Sequence, residues 1–94
     1  MVYYYIGDGK KFDTNAHQVI YADGHYSSRG VRYYLTREGR IVCEQWSRWQ
    51  GEHDHAREIT VEEFLHDMFL SPHPDRAERA IRIAGLQTRV PDFK

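Results

Sequence analysis

The stretch with the most chemical character is Glu52-His53-Asp54-His55. On an extended segment a His-x-His pair sends both imidazoles to one side, which suits zinc or nickel. A metal site needs three or four ligands with supporting hydrogen bonds, and His17, His25 and His66 stand at no diagnostic spacing from the pair. The single cysteine, Cys43, leaves no multi-cysteine zinc site and no internal disulfide. The stretch therefore reads as a solvated polar loop, and no metal or other cofactor is assigned.

Nucleophiles are few. Cys43 stands between Val42 and Glu44 in a segment that reads as a strand, on the face turned to the core. A thiol in apolar surroundings is held protonated and inert. Ser27-Ser28 lies near His25 and Asp23, but no strained nucleophile turn of the G-x-S-x-G kind is present. Glu62 and Glu63 are neighbours on a helix start, pointing about 100° apart, where negative charge complements the helix dipole. The glycines occupy turns and form no phosphate-binding loop. No catalytic residue is assigned, and the chain reads as a non-enzyme.

Two side-chain groupings point instead to recognition. Arg29, Arg32, Arg37, Arg40 and Arg48 interleave with Tyr33, Tyr34, Trp46 and Trp49. Cations beside stacking rings are what single-stranded nucleic-acid binders use, and Arg32, Arg40, Arg48 and Trp46 are the residues such a module would employ. A second grouping is acidic. Glu52, Asp54, Glu58, Glu62, Glu63 and Asp67 give residues 51–70 a charge of −5 against one arginine, between segments of +2 on either side. An acidic rim can occupy a basic site on a partner protein and steer the encounter. The net charge of −1 argues against a general DNA binder, which would carry a basic footprint over the whole domain.

The elements that position these groups follow from patterning. A chain of 94 residues with 40% hydrophobic and 29% charged residues supports one modest core, and disordered or collagen-like classes are excluded. No apolar run approaches the ~20 residues needed to span a bilayer. No signal sequence opens the chain, so a cytoplasmic location is expected. Val2 to Ile6 is rich in aromatic and β-branched residues and ends in the turn Gly7-Asp8-Gly9-Lys10. A short strand through Lys11-Phe12 and another over Gln18 to Ala22 follow. The clearest hairpin joins Val31–Thr36 to Ile41–Trp46 through Arg37-Glu38-Gly39, with Gly39 at a left-handed position. Arg32, Tyr34 and Trp46 share the face opposite Val31, Tyr33 and Leu35.

A polar loop over residues 47–59 separates sheet from helices. Thr60-Val61-Glu62-Glu63 is a capping box. Val61, Phe64, Leu65, Met68 and Phe69 then form one helical stripe over 61–70. Pro72 and Pro74 stop that helix, Asp75 is read as the cap of a second one near 75–84, and Gly85 is its exit. Residues 86–94 read as a tail or short edge strand. The expected architecture is a single α+β domain, an antiparallel β-meander of about four strands from 2–46 with two helices (60–85) packed on one face. Its core should draw on Ile6, Val19, Tyr21, Val31, Tyr33, Leu35, Ile41, Cys43, Phe64, Leu65, Met68, Ile81 and Ala84.

Residues Lys10 to Asp67 resemble a family of small uncharacterised proteins carried by phages and conjugative elements. The residues that carry the resemblance are Gly9-Lys10-Lys11-Phe12-Asp13-Thr14, the hairpin Tyr33-Tyr34-Leu35-Thr36-Arg37-Glu38-Gly39, the loop Trp49-Gln50-Gly51-Glu52 and the helix start Glu62-Glu63. The chain departs from it at Phe64-Leu65, and residues 71–94 have no counterpart. The resemblance implies a host-facing protein of a mobile element, in a setting that includes anti-CRISPR inhibitors. The expected partner is a host protein complex, with no membrane, and the expected contact residues are Arg32, Tyr34, Trp46, Trp49, Glu52, Glu62, Glu63 and Asp67. Trp, Tyr and Arg are the residues on which protein interfaces concentrate their binding energy. A single-stranded nucleic-acid module using the Arg/aromatic sheet face is the alternative.

Overall fold

A computed structural model describes residues 3–6, 10–24, 29–48 and 54–90. Its centre is the hairpin that the alternation of residues 31–46 dictates. Strand β4 (Arg29–Leu35) pairs antiparallel with β5 (Ile41–Ser47), from Leu35 opposite Ile41 to Arg29 opposite Ser47. The turn between them needs a left-handed residue, and Gly39 supplies it at φ +79°. Thr36 closes the turn: its N–H donates to the Arg40 carbonyl, and its hydroxyl accepts from the Arg40 N–H.

Strands β3 (Gln18–Asp23) and β6 (His55–Ile59) flank that hairpin, giving an antiparallel sheet in the order β3-β4-β5-β6. Strands β1 (Tyr3–Ile6) and β2 (Lys10–Asp13) form a separate two-stranded antiparallel hairpin. The α+β class and the meander order are as patterning implies, with two corrections of detail. The fourth strand of the main sheet is β6, within the segment expected to be a polar loop. The first two strands belong to another layer.

Helices α1 (Val61–Phe69) and α2 (Pro74–Ile83) lie on one face of the main sheet. The capping box of α1 forms as its sequence requires: the Thr60 hydroxyl accepts from the Glu63 N–H, and the Glu63 carboxylate accepts from the Thr60 N–H. Helix α2 begins one residue earlier than expected. Pro74 takes its first turn, His73 stands at the cap position, and Asp75 lies inside the helix instead of capping it. The ring of His73 turns back to Asp23, 3.2 Å away, tying this corner to the end of β3. At the other end, Leu86 N–H donates to Ile81 and Gly85 N–H to Arg82, closing α2 as a Schellman motif. The expected tail contains a 3₁₀ turn (Gln87–Arg89), and Leu86 and Val90 pack on the core on either side of it.

The larger core joins Ile20, Tyr21, Tyr33, Ile41, Cys43 and Ile59 to Phe64, Leu65, Met68, Ala77, Ala80 and Ile81. Val19 was expected there and is 44% exposed. A bulge between Val19 and Tyr21 breaks the alternation, turning Ile20 and Tyr21 inward together and Val19 out. A smaller core forms on the opposite face of the sheet. Phe12, Tyr34 and Val42 are its buried residues, with Tyr4, Ile6 and Ala56 around them, so the β1–β2 hairpin is a lid over the centre of that face.

Phe12 is the one fully buried residue that the described part of the lid contributes, meeting the Tyr34 ring edge-on and stacking on His17. Phe12→Ala should cost about 3 kcal/mol through the cavity it leaves. A lowered midpoint in chemical denaturation, together with lost amide exchange protection at Tyr4 and Tyr5, is the expected signature.

Candidate functional site

The second face of the sheet carries the most ordered polar cluster, and hairpin register builds it. Arg32 stands directly opposite Glu44, and Gly30 directly opposite Trp46. Side chains two residues apart on one strand share a face, so Arg32, Tyr34, Glu44, Trp46 and Arg48 rise on the same side. Glu44 is only 2% exposed. Its carboxylate accepts from the hydroxyl of Tyr34 at 2.7 Å, from Arg32 Nη1 at 3.0 Å, and from the Tyr4 hydroxyl reaching down from β1.

Burial on its own would raise the pKa of Glu44. The three donors outweigh that effect and hold the carboxyl below its ordinary range. The same contacts, led by burial, push the hydroxyls of Tyr4 and Tyr34 well above the usual tyrosine range. The group is thus a carboxylate with both oxygens occupied, and its ordered neighbours stay protonated. That is the chemistry of a clamp, not of a general base.

Trp46 extends the clamp toward the rim of the sheet. A Cβ at Gly30 would lie 2.1 Å from the indole, so the ring rests directly on the glycine backbone of the neighbouring strand. Arg32 lies 5.3 Å from the indole centroid and Arg48 5.5 Å from it. The indole N–H is buried and meets no acceptor among the described residues. Arg32 keeps 41% of its side chain exposed, and Arg48 is exposed on the same ring.

The expected contact residues do not converge on one surface. Tyr34 is corrected outright: at 3% exposed it belongs to the core beneath the β1–β2 lid and offers nothing to a partner. Glu62, Glu63 and Asp67 sit on α1, in the layer on the opposite side of the sheet from Trp46. Each is already engaged. Glu62 meets Arg89 and Glu63 meets Arg57, both at 3.0 Å, and Asp67 accepts from the Tyr33 hydroxyl at 2.8 Å. Arg57 and the Thr60 N–H together hold Glu63 below the ordinary carboxylate range. Arg40 lies at the turn end of β5, away from Arg48, within 3.5 Å of both Glu38 and Glu58. Trp49, Glu52 and His53 lie outside the described residues. What remains together is Arg32, Trp46 and Arg48.

No family model, curated protein or solved structure matches this chain.

Cys43 is buried, and burial pushes its thiol up, in keeping with its place as core filler. Among the described residues no group of three or more His, Cys, Asp or Glu could hold a metal ion, and no helix is long and apolar enough to cross a membrane. Glu44 is the residue at the centre of this cluster that sequence reasoning passed over. Its signal was available in the hairpin register, which sets it opposite Arg32. The contribution of Tyr4 was not, because it arrives from a strand in another layer.

Glu44→Gln should destabilise the fold by roughly 1.5–3 kcal/mol, since hydrogen bonds to a charged acceptor are lost and Arg32 is left without its counter-charge. The sign of the pH effect follows from a folded-state pKa held below the unfolded value. The stabilisation is complete above about 4.5, the ordinary value, and fades as pH falls through the lower folded value. Glu63 titrates in the same direction, so the diagnostic quantity is the difference between wild type and Glu44→Gln in urea melts. That difference should shrink as the pH drops below 4.5.

Proposed function

We propose that this protein is a non-enzymatic binding domain that docks on a partner protein through Trp46 and the arginines around it. The host-facing role in a mobile element, with a host protein complex as partner in the manner of an anti-CRISPR inhibitor, is supported by the resemblance over Lys10–Asp67. The observation that carries the docking surface is the arrangement of Trp46, resting on Gly30 with the guanidinium groups of Arg32 and Arg48 at 5.3 and 5.5 Å from its ring centroid. Trp and Arg are the residues in which binding energy concentrates at interfaces. Here Arg32 is already held by the buried Glu44 and the ring rests on the Gly30 backbone, so little side-chain freedom is lost on association.

Charge selects the kind of partner surface. Arg32 and Arg48 lie beside the indole, and Glu44 is the buried counter-charge of Arg32, so the complementary surface is acidic. The expected acidic rim carries less of the argument, because Glu62, Glu63 and Asp67 are spent on contacts within the fold. The nucleic-acid alternative loses its platform: the β1–β2 lid covers the middle of the sheet face, and Arg40 stands apart from Arg48.

The test compares wild type with Arg48→Glu and Trp46→Ala as baits for cell extract at moderate salt. Wild type should retain a defined protein complex in stoichiometric amount. Arg48→Glu, at an exposed position, should lose it while circular dichroism and melting stay unchanged. Retention by both variants, or steeply salt-dependent binding of single-stranded DNA that quenches Trp46 fluorescence, would overturn the proposal.

A further inference from the structure

Strand β3 is an edge of the main sheet, with no strand on its outer side among the described residues. An edge strand turns a row of backbone N–H and C=O groups outward, a template for another extended chain. Natural edges are usually blunted by lysine, proline or inward-pointing charge. The run Gln18-Val19-Ile20-Tyr21-Ala22 has none of these; its one blunting device is the bulge, which turns Val19 out to solvent.

Beside this edge runs α2. A groove of about 410 Å³ lies between them, lined on the strand side by Val19, Ile20 and Ala22 and on the helix side by Arg76, Arg79 and Ile83. Arg76 and Arg79 are one helical turn apart and therefore share a face. Arg76 reaches only the Ala22 carbonyl, at 3.5 Å, and Arg79 meets no carboxylate among the described residues. No acidic residue lines the groove. Of the nearby acids, Glu78 pairs with Arg82 and Asp23 with His73, while Asp75, one turn before Arg79 on the helix, does not line the groove.

From this geometry we infer a second binding site: the β3 edge accepts an extended acidic segment of a partner protein as an added antiparallel strand, its carboxylates meeting Arg76 and Arg79. Backbone hydrogen bonds along β3 supply affinity, and alternate side chains supply selectivity, one row entering the groove beside Val19 and Ile83. Charge decides against a second copy of this chain as the occupant. Two-fold pairing of β3 with itself would bring four arginines to one seam, where like charges repel. The site is independent of the Trp46 patch and makes no use of its residues.

The probe is a short peptide of alternating valine and glutamate, titrated into the full chain and followed by amide chemical shifts and hydrogen exchange. Saturable binding is expected, with new protection confined to Gln18–Asp23. A peptide with lysine in place of glutamate should not bind, and N-methylation of alternate residues should abolish binding by removing the backbone donors. The double variant Arg76→Glu/Arg79→Glu changes two exposed side chains and should lower affinity about tenfold or more with the melting curve unchanged. Absence of saturable binding, binding indifferent to the double variant, or shifts centred on Trp46 would overturn the inference. So would protection of β3 that rises with protein concentration alone, since that is self-pairing. Because Arg48→Glu leaves β3 untouched, loss of the Trp46 interaction and loss of the β3 interaction are read separately.

Discussion

The structure turns on one buried carboxylate. Placing Glu44 in the interior is costly unless its charge is compensated, and the compensation draws in residues from two other strands. Arg32 and Tyr34 come from β4 and Tyr4 from β1, so one acceptor locks the central hairpin to the lid above it. The clamp continues outward, because an arginine held by Glu44 is also the arginine over Trp46. The geometry of the proposed contact surface is therefore a consequence of how a buried charge is satisfied.

This explains why the two faces of the sheet behave differently. The helix-covered face is satisfied almost entirely by apolar packing, and its polar contacts lie at the margins: Tyr33 to Asp67, and Tyr21 to Ser71. The other face has a small apolar centre of Phe12, Tyr34 and Val42, then a polar shell, then an exposed cationic border. Such a gradient from locked to accessible is how a rigid element can present a preformed binding group. The acidic residues of α1 follow another logic. Glu62 and Glu63 stabilise the helix start and pair with Arg89 and Arg57, and Asp67 holds the Tyr33 hydroxyl, so their charge is spent within the fold.

The two proposed sites use separate parts of one scaffold. The Trp46 patch offers side chains over a satisfied backbone. The β3 edge offers a backbone with no strand paired on its outer side among the described residues. Both are rimmed by arginine, and both call for an acidic counterpart, although the net charge of the chain is slightly negative. Local placement of charge, more than its total, decides what each surface can recognise.

Local sequence rules determined the central hairpin and its turn at Gly39, the α1 capping box, the stop at the two prolines and the inward faces of both helices. Each depends on residues within a few positions of one another, where periodicity and turn chemistry act directly. The shared face of Arg32, Tyr34 and Trp46 was equally legible, but the pairing of Arg32 with Glu44, and of Gly30, outside the expected strand, with Trp46, came with the structure. Tertiary structure alone decided the rest. Residues 55–59 become a strand because β5 offers them an open edge, although their polarity reads as loop. Val19 turns outward because of a bulge that no alternation reveals. Tyr34 is buried because a separate hairpin folds over it, and a contact between residues far apart in the chain leaves no periodic trace in either segment.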